Sequence, residues 1–298
     1  MNFLDIFLAN KLMVEHRSIL TQKRILVTGG DGFIGRYLVQ SLKNLGSHVI
    51  KFDRDIRNYS GFEHRFDILF HLASAMPKNF FQNSQEAYAI NRQGLENALM
   101  ACARQKAVLI FPSSASVYRI PYTDIKIAED WPVDPLSPYS ISKAECERVC
   151  MDSVERGNVQ TAILRIFNPY GVTQRKNSIL GYVLESLMEN KPIEIKVPLA
   201  RRDFIHVADV VCALISAGLC PFPRPLNIGS GESSVVEEIV KEVLVRKPTS
   251  SSVTFSELAD RPTVIANNQA AFDQLGWQPK IPLPFGLDEI TRKTCPII

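Results

Sequence analysis

No apolar run in this 298-residue sequence approaches the roughly 20 residues that cross a bilayer, so a membrane-spanning protein is not expected. Neither sign of charge is gathered into a long run. With 34 basic and 31 acidic residues the formal net charge is only +3, which gives no indication of a nucleic acid or an anionic membrane as partner. Six cysteines are present (Cys102, Cys146, Cys150, Cys212, Cys220 and Cys295), yet none stands in C-x-x-C spacing. Four fall within apparent helices, so they are expected to be reduced thiols rather than a disulfide frame or a zinc site. No metal is expected, and the location implied is cytoplasmic. Repeats and low-complexity tracts are lacking, and "KPTSSS" is too short to separate two domains. The opening "MNFLDIFLANKLM" carries Asp5 early and lacks a small-residue cleavage site, which argues against a signal peptide. Its apolar residues Phe3, Leu4, Phe7, Leu8 and Leu12 fit an amphipathic helix instead. Residues 1–23 are therefore expected to form a helical extension, docked on the body or on a partner subunit.

What is present is a strong alternation of apolar strands with helices. At 46% hydrophobic and 22% charged, the chain can bury a sizeable core in one large domain or two unequal ones. "RILVTGG" (24–30) runs into glycines and is followed by helical periodicity over 33–45. "HVIKFD" (48–53), "DILFHLAS" (67–74), "AVLIFPSS" (107–114) and "TAILRIFN" (161–168) supply further strands, with helices near 85–105 and 138–157 between them. This pattern predicts a parallel sheet covered on both faces, a doubly wound α/β fold of Rossmann type. Residues 54–66 are too few for a helix, a strand and another helix, so the usual third strand is expected to be shortened or missing. Beyond about residue 170 the texture changes. A helix over 177–190, a short "PIEIKV", a helix opened by "RRDFIHVADVV" and running to 219, a proline-rich turn "PFPRP" and a helix near 233–246 follow. The division expected is 24–170 as the dinucleotide domain, with 203–228 returning to it, and 171–298 as a smaller, mainly substrate-binding α/β domain.

Two local patterns carry chemistry. "GGDGFIG" sets Gly29, Gly32 and Gly35 in G-x-x-G-x-x-G spacing between a strand and a helix, where the backbone can approach a pyrophosphate at a positive helix end. Asp53 ends the second strand, where a carboxylate bonds both ribose hydroxyls and repels a 2′-phosphate, favouring NAD over NADP. Arg54 and Arg36 lie nearby and pull the other way unless they are simply solvated. "YSISK" places Tyr139 and Lys143 at i and i+4 on one helical face, so an ammonium can favour the phenolate and bring a pKa of about 10 toward neutrality. His71 and His206, each following an apolar stretch, are expected to be packed and satisfied. Asp209, at the start of a helix, is expected to cap it.

"TGGDGFIG", "HLAS", "PSSASVY", "YSISK", "RIFNPYG", "RRDFIHVADV", "NIGSGE" and "LGWQPKI", in that order, resemble the extended short-chain dehydrogenase/reductase superfamily in its NAD-dependent epimerase/dehydratase branch. The resemblance spans residues 24 to 290. It implies Tyr139 and Lys143 as the catalytic pair, with Ser114 as their serine partner. It also implies Phe33 and Ile34 beside the pyrophosphate, and Asp55 and Ile56 at the adenine. Leu72, Ala73 and Ser74 would line the cofactor, with Asn91 near and Phe167 beside the nicotinamide. Asn168, Arg202 and Arg261, with Ser114 and Tyr139, would hold a nucleotide-diphosphate sugar; planar cationic donors suit its oxygens. A homodimer is implied as well. The short 54–66 segment departs from the family length, Arg119 stands where glycine is usual, and "IKVPLA" lacks the usual glycines.

The resemblance implies oxidation of a sugar C4 hydroxyl as the first step. The resembling 4,6-dehydratases carry Asp–Glu directly after the serine position, and 3,5-epimerising relatives a cysteine two residues beyond it. This chain has Ala115 and Ser116 there. A decarboxylase is not expected, because this chain has no matching acid there. What is left is reversible hydride transfer at C4, as in a 4-epimerase, or in a 4-ketoreductase that exchanges its cofactor. A catalytically silent NAD sensor or scaffold is the alternative of another class, against which stands the retention of Ser114, Tyr139 and Lys143.

Overall fold

The computed structural model describes residues 11–52, 54–174, 178–257 and 261–293. Its centre is a six-stranded sheet of β1 (Arg24–Thr28), β2 (His48–Phe52), β3 (Ile68–His71), β4 (Val108–Ser114), β5 (Gln160–Ile166) and β6 (Pro225–Ile228), in the order β6-β5-β4-β3-β1-β2. Every pairing is parallel. The strands are apolar on both sides because both sides are covered. Ile25 and Val27 face one core with Leu38, Leu42 and the helix Val207–Leu219, while Leu26 faces another with Leu95, Leu99, Cys102 and Cys150. Of the five described cysteines, Cys102, Cys146, Cys150 and Cys212 are buried and Cys220 is exposed.

β2 is the sheet edge, and no further strand lies beyond it among the described residues. The 54–66 connection holds only a one-turn 3-10 helix, Tyr59–Phe62. Asn97 donates to the carbonyls of Ile56 and Arg57, and Phe62 and Phe66 plug the second core. A short connection is therefore anchored tightly without a strand of its own. The chain crosses from β2 back over β1 to β3, so the carboxyl ends of β1 and β3 flank a topological switch point, where crevices form in such sheets.

The "PFPRP" stretch does more than turn. Pro225 opens β6 at the other sheet edge, a first-residue edge position that a proline can occupy. The remaining core gathers Leu184, Leu187, Ile193, Val240, Val243 and Ile290 around the helices Ile179–Met188, Val236–Arg246 and Leu283–Lys293. Fully buried Asp203 ties the parts together by accepting from Ser230 N and Oγ, Gly231 N and Ala266 N. Asp209 is not the cap expected. His206 caps that helix by accepting from Ala208 N at 3.2 Å, and Asp209 accepts from Ile281 N at 3.0 Å to hold the C-terminal segment. The helix Lys11–Leu20 packs beside Val207–Leu219 with Leu20 fully buried. Phe3, Leu4, Phe7 and Leu8 lie outside the described residues, as do Asp53 and Cys295.

Candidate active site

The crevice at the switch point is a cavity of about 510 Å³. Its floor is the turn after β1. Gly29 has φ +66°, and a Cβ there would lie 2.6 Å from Ala73 N; a Cβ at Gly35 would lie 2.1 Å from Gly29 O. Both glycines are thus demanded by the close packing of the turn against β3 and the following helix. Gly32 starts the helix Phe33–Asn44 with no side-chain cap, leaving first-turn N–H groups unclaimed by any side chain. Gly32, Phe33 and Ile34 line the cavity, opposite Leu72, Ala73 and Ser74. An uncapped helix start facing a crevice of this size fits the pyrophosphate of a dinucleotide.

The far wall carries the tyrosine. Ser137 caps the helix Pro138–Glu155, accepting from Ser140 N at 3.1 Å while Ser140 Oγ accepts from Ser137 N at 2.9 Å. Pro138 at the first helical position is preorganised for that start. Tyr139 therefore sits in the first turn, where the helix dipole favours a phenolate. Phe80 meets its ring edge-on at 6.2 Å, and Ser114, at the end of β4, lines the same cavity. Burial nevertheless pushes the Tyr139 phenol up to about 12, with the Ser114 hydroxyl acting in the opposite direction.

Lys143 does not supply the lowering expected of it. Its Nζ donates to the Pro112 carbonyl at 2.9 Å and lies 4.7 Å from the centre of the Phe111 ring. A buried ammonium needs acceptors, and the β4 carbonyl is the one its helix brings within reach. Burial pulls the Lys143 pKa down, while the nearby Glu147 carboxylate raises it. His71 is neutral. Burial, and secondarily Lys143, push it down to about 3, and its Nδ1 is 3.1 Å from Thr28 Oγ1.

Residues 25–229 match the family described as NAD dependent epimerase/dehydratase family, more than half of the chain. The chain belongs to that family. A UDP-glucuronic acid decarboxylase 1 of Danio rerio is 26% identical over 311 aligned residues, covering 93% of this chain and 73% of the relative. A UDP-glucose 4-epimerase of Azospirillum brasilense is 26% identical over 311 aligned residues, covering 86% of this chain and 87% of the relative. A crystal structure of UDP-glucose 4-epimerase with NAD from Thermus thermophilus has the same fold, with a TM-score of 0.82 at 24% identity over 90% of this chain and 98% of that one. The family is one of NAD-dependent enzymes, and these relatives perform different reactions on UDP-sugars.

Of the family positions, Gly29, Gly32, Phe33, Ile34, Gly35, Leu72, Ala73, Ser74, Ser114, Tyr139, Lys143 and Phe167 all line the one cavity. Others are placed elsewhere. The Asp55 carboxylate is taken by Arg57, which donates through Nε at 2.9 and 3.0 Å, and is held below the usual carboxylate range by that bond. Ile56 is buried against Gly94. Asn91 stands behind the wall, accepting from Ser74 Oγ and Ala75 N and donating to Ser142 Oγ. Asn168 donates to Asp203 O at 2.8 Å, and Arg202 Nη1 to the Arg201 and Pro262 carbonyls. Arg261 is exposed. Asp53, the residue on which cofactor choice rested, lies outside the described residues.

Sequence reasoning missed a buried pair just behind the wall that carries Tyr139. Arg165 donates to Glu147 through Nη2 at 2.7 Å and through Nε at 3.1 Å, and to Tyr118 Oη at 2.8 Å. Glu147 also accepts from Ser113 Oγ, next to Ser114. The signal was available: an arginine inside the apolar strand "TAILRIFN", and a glutamate one turn beyond Lys143 on its own helical face.

Proposed function

We propose that the protein is an NAD-dependent nucleotide-sugar 4-epimerase. The observation carrying this reading is that Tyr139 and Lys143 are the sole titratable side chains among the described residues lining the cavity. Dehydration, decarboxylation or epimerisation beside the ketone calls for a further acid or base at the sugar. Positions 115 and 116, directly after the catalytic serine, hold alanine and serine. Reversible exchange of the C4 hydroxyl and ketone needs a single proton shuttle.

Gly29, Gly32 and Gly35, the first turn of the Phe33–Asn44 helix, Leu72 to Ser74 and Phe167 would hold the dinucleotide. When bound, it would supply the acceptor, and then the donor, of the C4 hydride. Tyr139, in its phenolate form, takes the C4 hydroxyl proton at Oη as the carbonyl forms, and the phenol so made gives it back as the ketone is reduced on its other face. Ser114 donates to the oxygen at which charge changes. Lys143 brings positive charge to the same helical face. Asn168, Arg202 and Arg261 would meet the substrate diphosphate, and Asp53 would favour NAD over NADP.

The test is incubation of purified protein with UDP-, GDP-, CDP- and dTDP-sugars and at most catalytic NAD, followed by mass spectrometry and NMR. A pair of C4 epimers of equal mass, with no net absorbance change at 340 nm, is expected. Continuous oxidation of added NADH or NADPH coupled to a 4-keto sugar would replace the epimerase with a ketoreductase built on the same three residues.

A further inference from the structure

In sequence, Ser116 stands where the dehydratases carry an acid and 3,5-epimerising relatives a cysteine. Its place in the structure gives it a task. Ser114 ends β4 and caps the one-turn helix Ala115–Val117, accepting from Ser116 N at 3.2 Å. Ser116 Oγ also donates to Ser114 Oγ, at 2.9 Å. A hydroxyl oxygen has two acceptor sites and one proton. Both acceptor sites on Ser114 are filled from a single residue, so its own proton is left as the group it can offer to Tyr139.

We propose that the Ser116 hydroxyl is a positioning group, which by donating to Ser114 obliges Ser114 to offer its one proton to Tyr139. The inference rests on the acid–base role assigned to Tyr139 above. A Ser114 free to rotate could accept from the phenol instead, which would favour the neutral phenol and oppose proton abstraction. Oriented as a donor it favours the phenolate, the direction in which Ser114 acts on Tyr139. The surroundings leave this bond room to matter. Lys143 on the same helix is turned to the Pro112 carbonyl, the helix Pro77–Gln82 presents the uncharged Phe80, and His71 on β3 is buried and neutral. Ser116 is itself exposed and its side chain bonds no other described group than Ser114, so its removal leaves the core intact.

The experiment reads Tyr139 directly and without substrate. Protein carrying 3-fluorotyrosine is titrated by 19F NMR, and the Tyr139 resonance is assigned by its loss in Tyr139→Phe. Ser116→Ala should move the Tyr139 midpoint upward by roughly one unit, the scale of weakening one hydrogen bond to a charged oxygen. Ser116→Thr, which keeps the hydroxyl, should restore it. In turnover, Ser116→Ala should lower kcat severalfold at unchanged KM. An unmoved midpoint in Ser116→Ala, or a Thr variant that behaves like Ala, overturns the inference. If the midpoint moves as expected while the wild-type protein turns over no nucleotide sugar, the proposed reaction fails and the assignment of Ser116 stands.

Discussion

Glu147→Gln is the substitution that most sharply tests how the wall carrying Tyr139 is built. It swaps a buried carboxylate for an amide of the same shape, opposite a guanidinium it cannot neutralise. The side chains of Glu147 and Arg165 are only 2% and 5% exposed, so water cannot take over the charge. Arg165 keeps its bonds to Tyr118 Oη and Glu129 O through Nη1 but loses its ionic partner at Nε and Nη2. Breaking one side of such a pair costs about 3–5 kcal/mol, a large share of the roughly 5–15 kcal/mol that ordinarily holds a domain together. A chain of 298 residues unfolds with an entropy on the order of 0.6 kcal/mol/K. The thermal midpoint should therefore fall by about 5–8 °C. Calorimetry or circular dichroism reads this directly. The double substitution Glu147→Leu with Arg165→Met should recover most of the loss, because an apolar pair removes both desolvation costs. Turnover should also fall in Glu147→Gln, since Ser113 and Lys143 both feel that carboxylate. A Glu147→Gln protein melting within about 1 °C of wild type would refute the claim that this pair bears on stability.

Other outcomes are expected on the same grounds. Tyr139→Phe should lower turnover by about 10² or more while dinucleotide binding, followed by cofactor fluorescence, survives; near-normal turnover would remove the mechanism. Asp53→Ala should weaken NAD and narrow its advantage over NADP in paired binding titrations, and a wild-type preference for NADP would show that Arg54 or Arg36 decides instead. His71 is held neutral, its pKa depressed to about 3 from 6.5, so the unfolded chain binds the extra proton and stability is lost as pH falls from about 6.5 toward 3. That contribution reaches about 1.4 kcal/mol per pH unit, and urea midpoints against pH should flatten over this window in His71→Asn. Glu289 is drawn down to about 2 from 4.5, by its bond to His206 first, so its contribution is present above pH 4.5 and lost as pH falls toward 2. Glu289→Gln should remove that limb without touching the one set by His71.

Local order was legible because it is written in local periods. The apolar strands, the helices between them, the glycines after β1 and the Ser–Pro start of the tyrosine helix each follow from residues within a few positions of one another. That no strand stands between β2 and β3 among the described residues was legible too, as a simple shortage of chain there. Strand β6 was not, since a proline-rich stretch signals a turn unless one knows that it meets the open edge of β5.

The sequence by itself determined strands β1 to β5 and the helices between them, the helix that carries Tyr139 and Lys143 on one face, and the identity of the glycine turn. The tertiary structure alone decided where Lys143 Nζ points. An i, i+4 spacing brings two side chains to one face, but it does not say that a buried ammonium will be claimed by the Pro112 carbonyl of the strand beneath it. In the same way only the packed fold set Glu147 against Arg165, 18 residues along the chain, and let Asp203 gather Ser230, Gly231 and Ala266. Buried charges and carbonyls must find partners wherever the chain can bring them, and that demand is met between elements distant in sequence, where no local pattern records it.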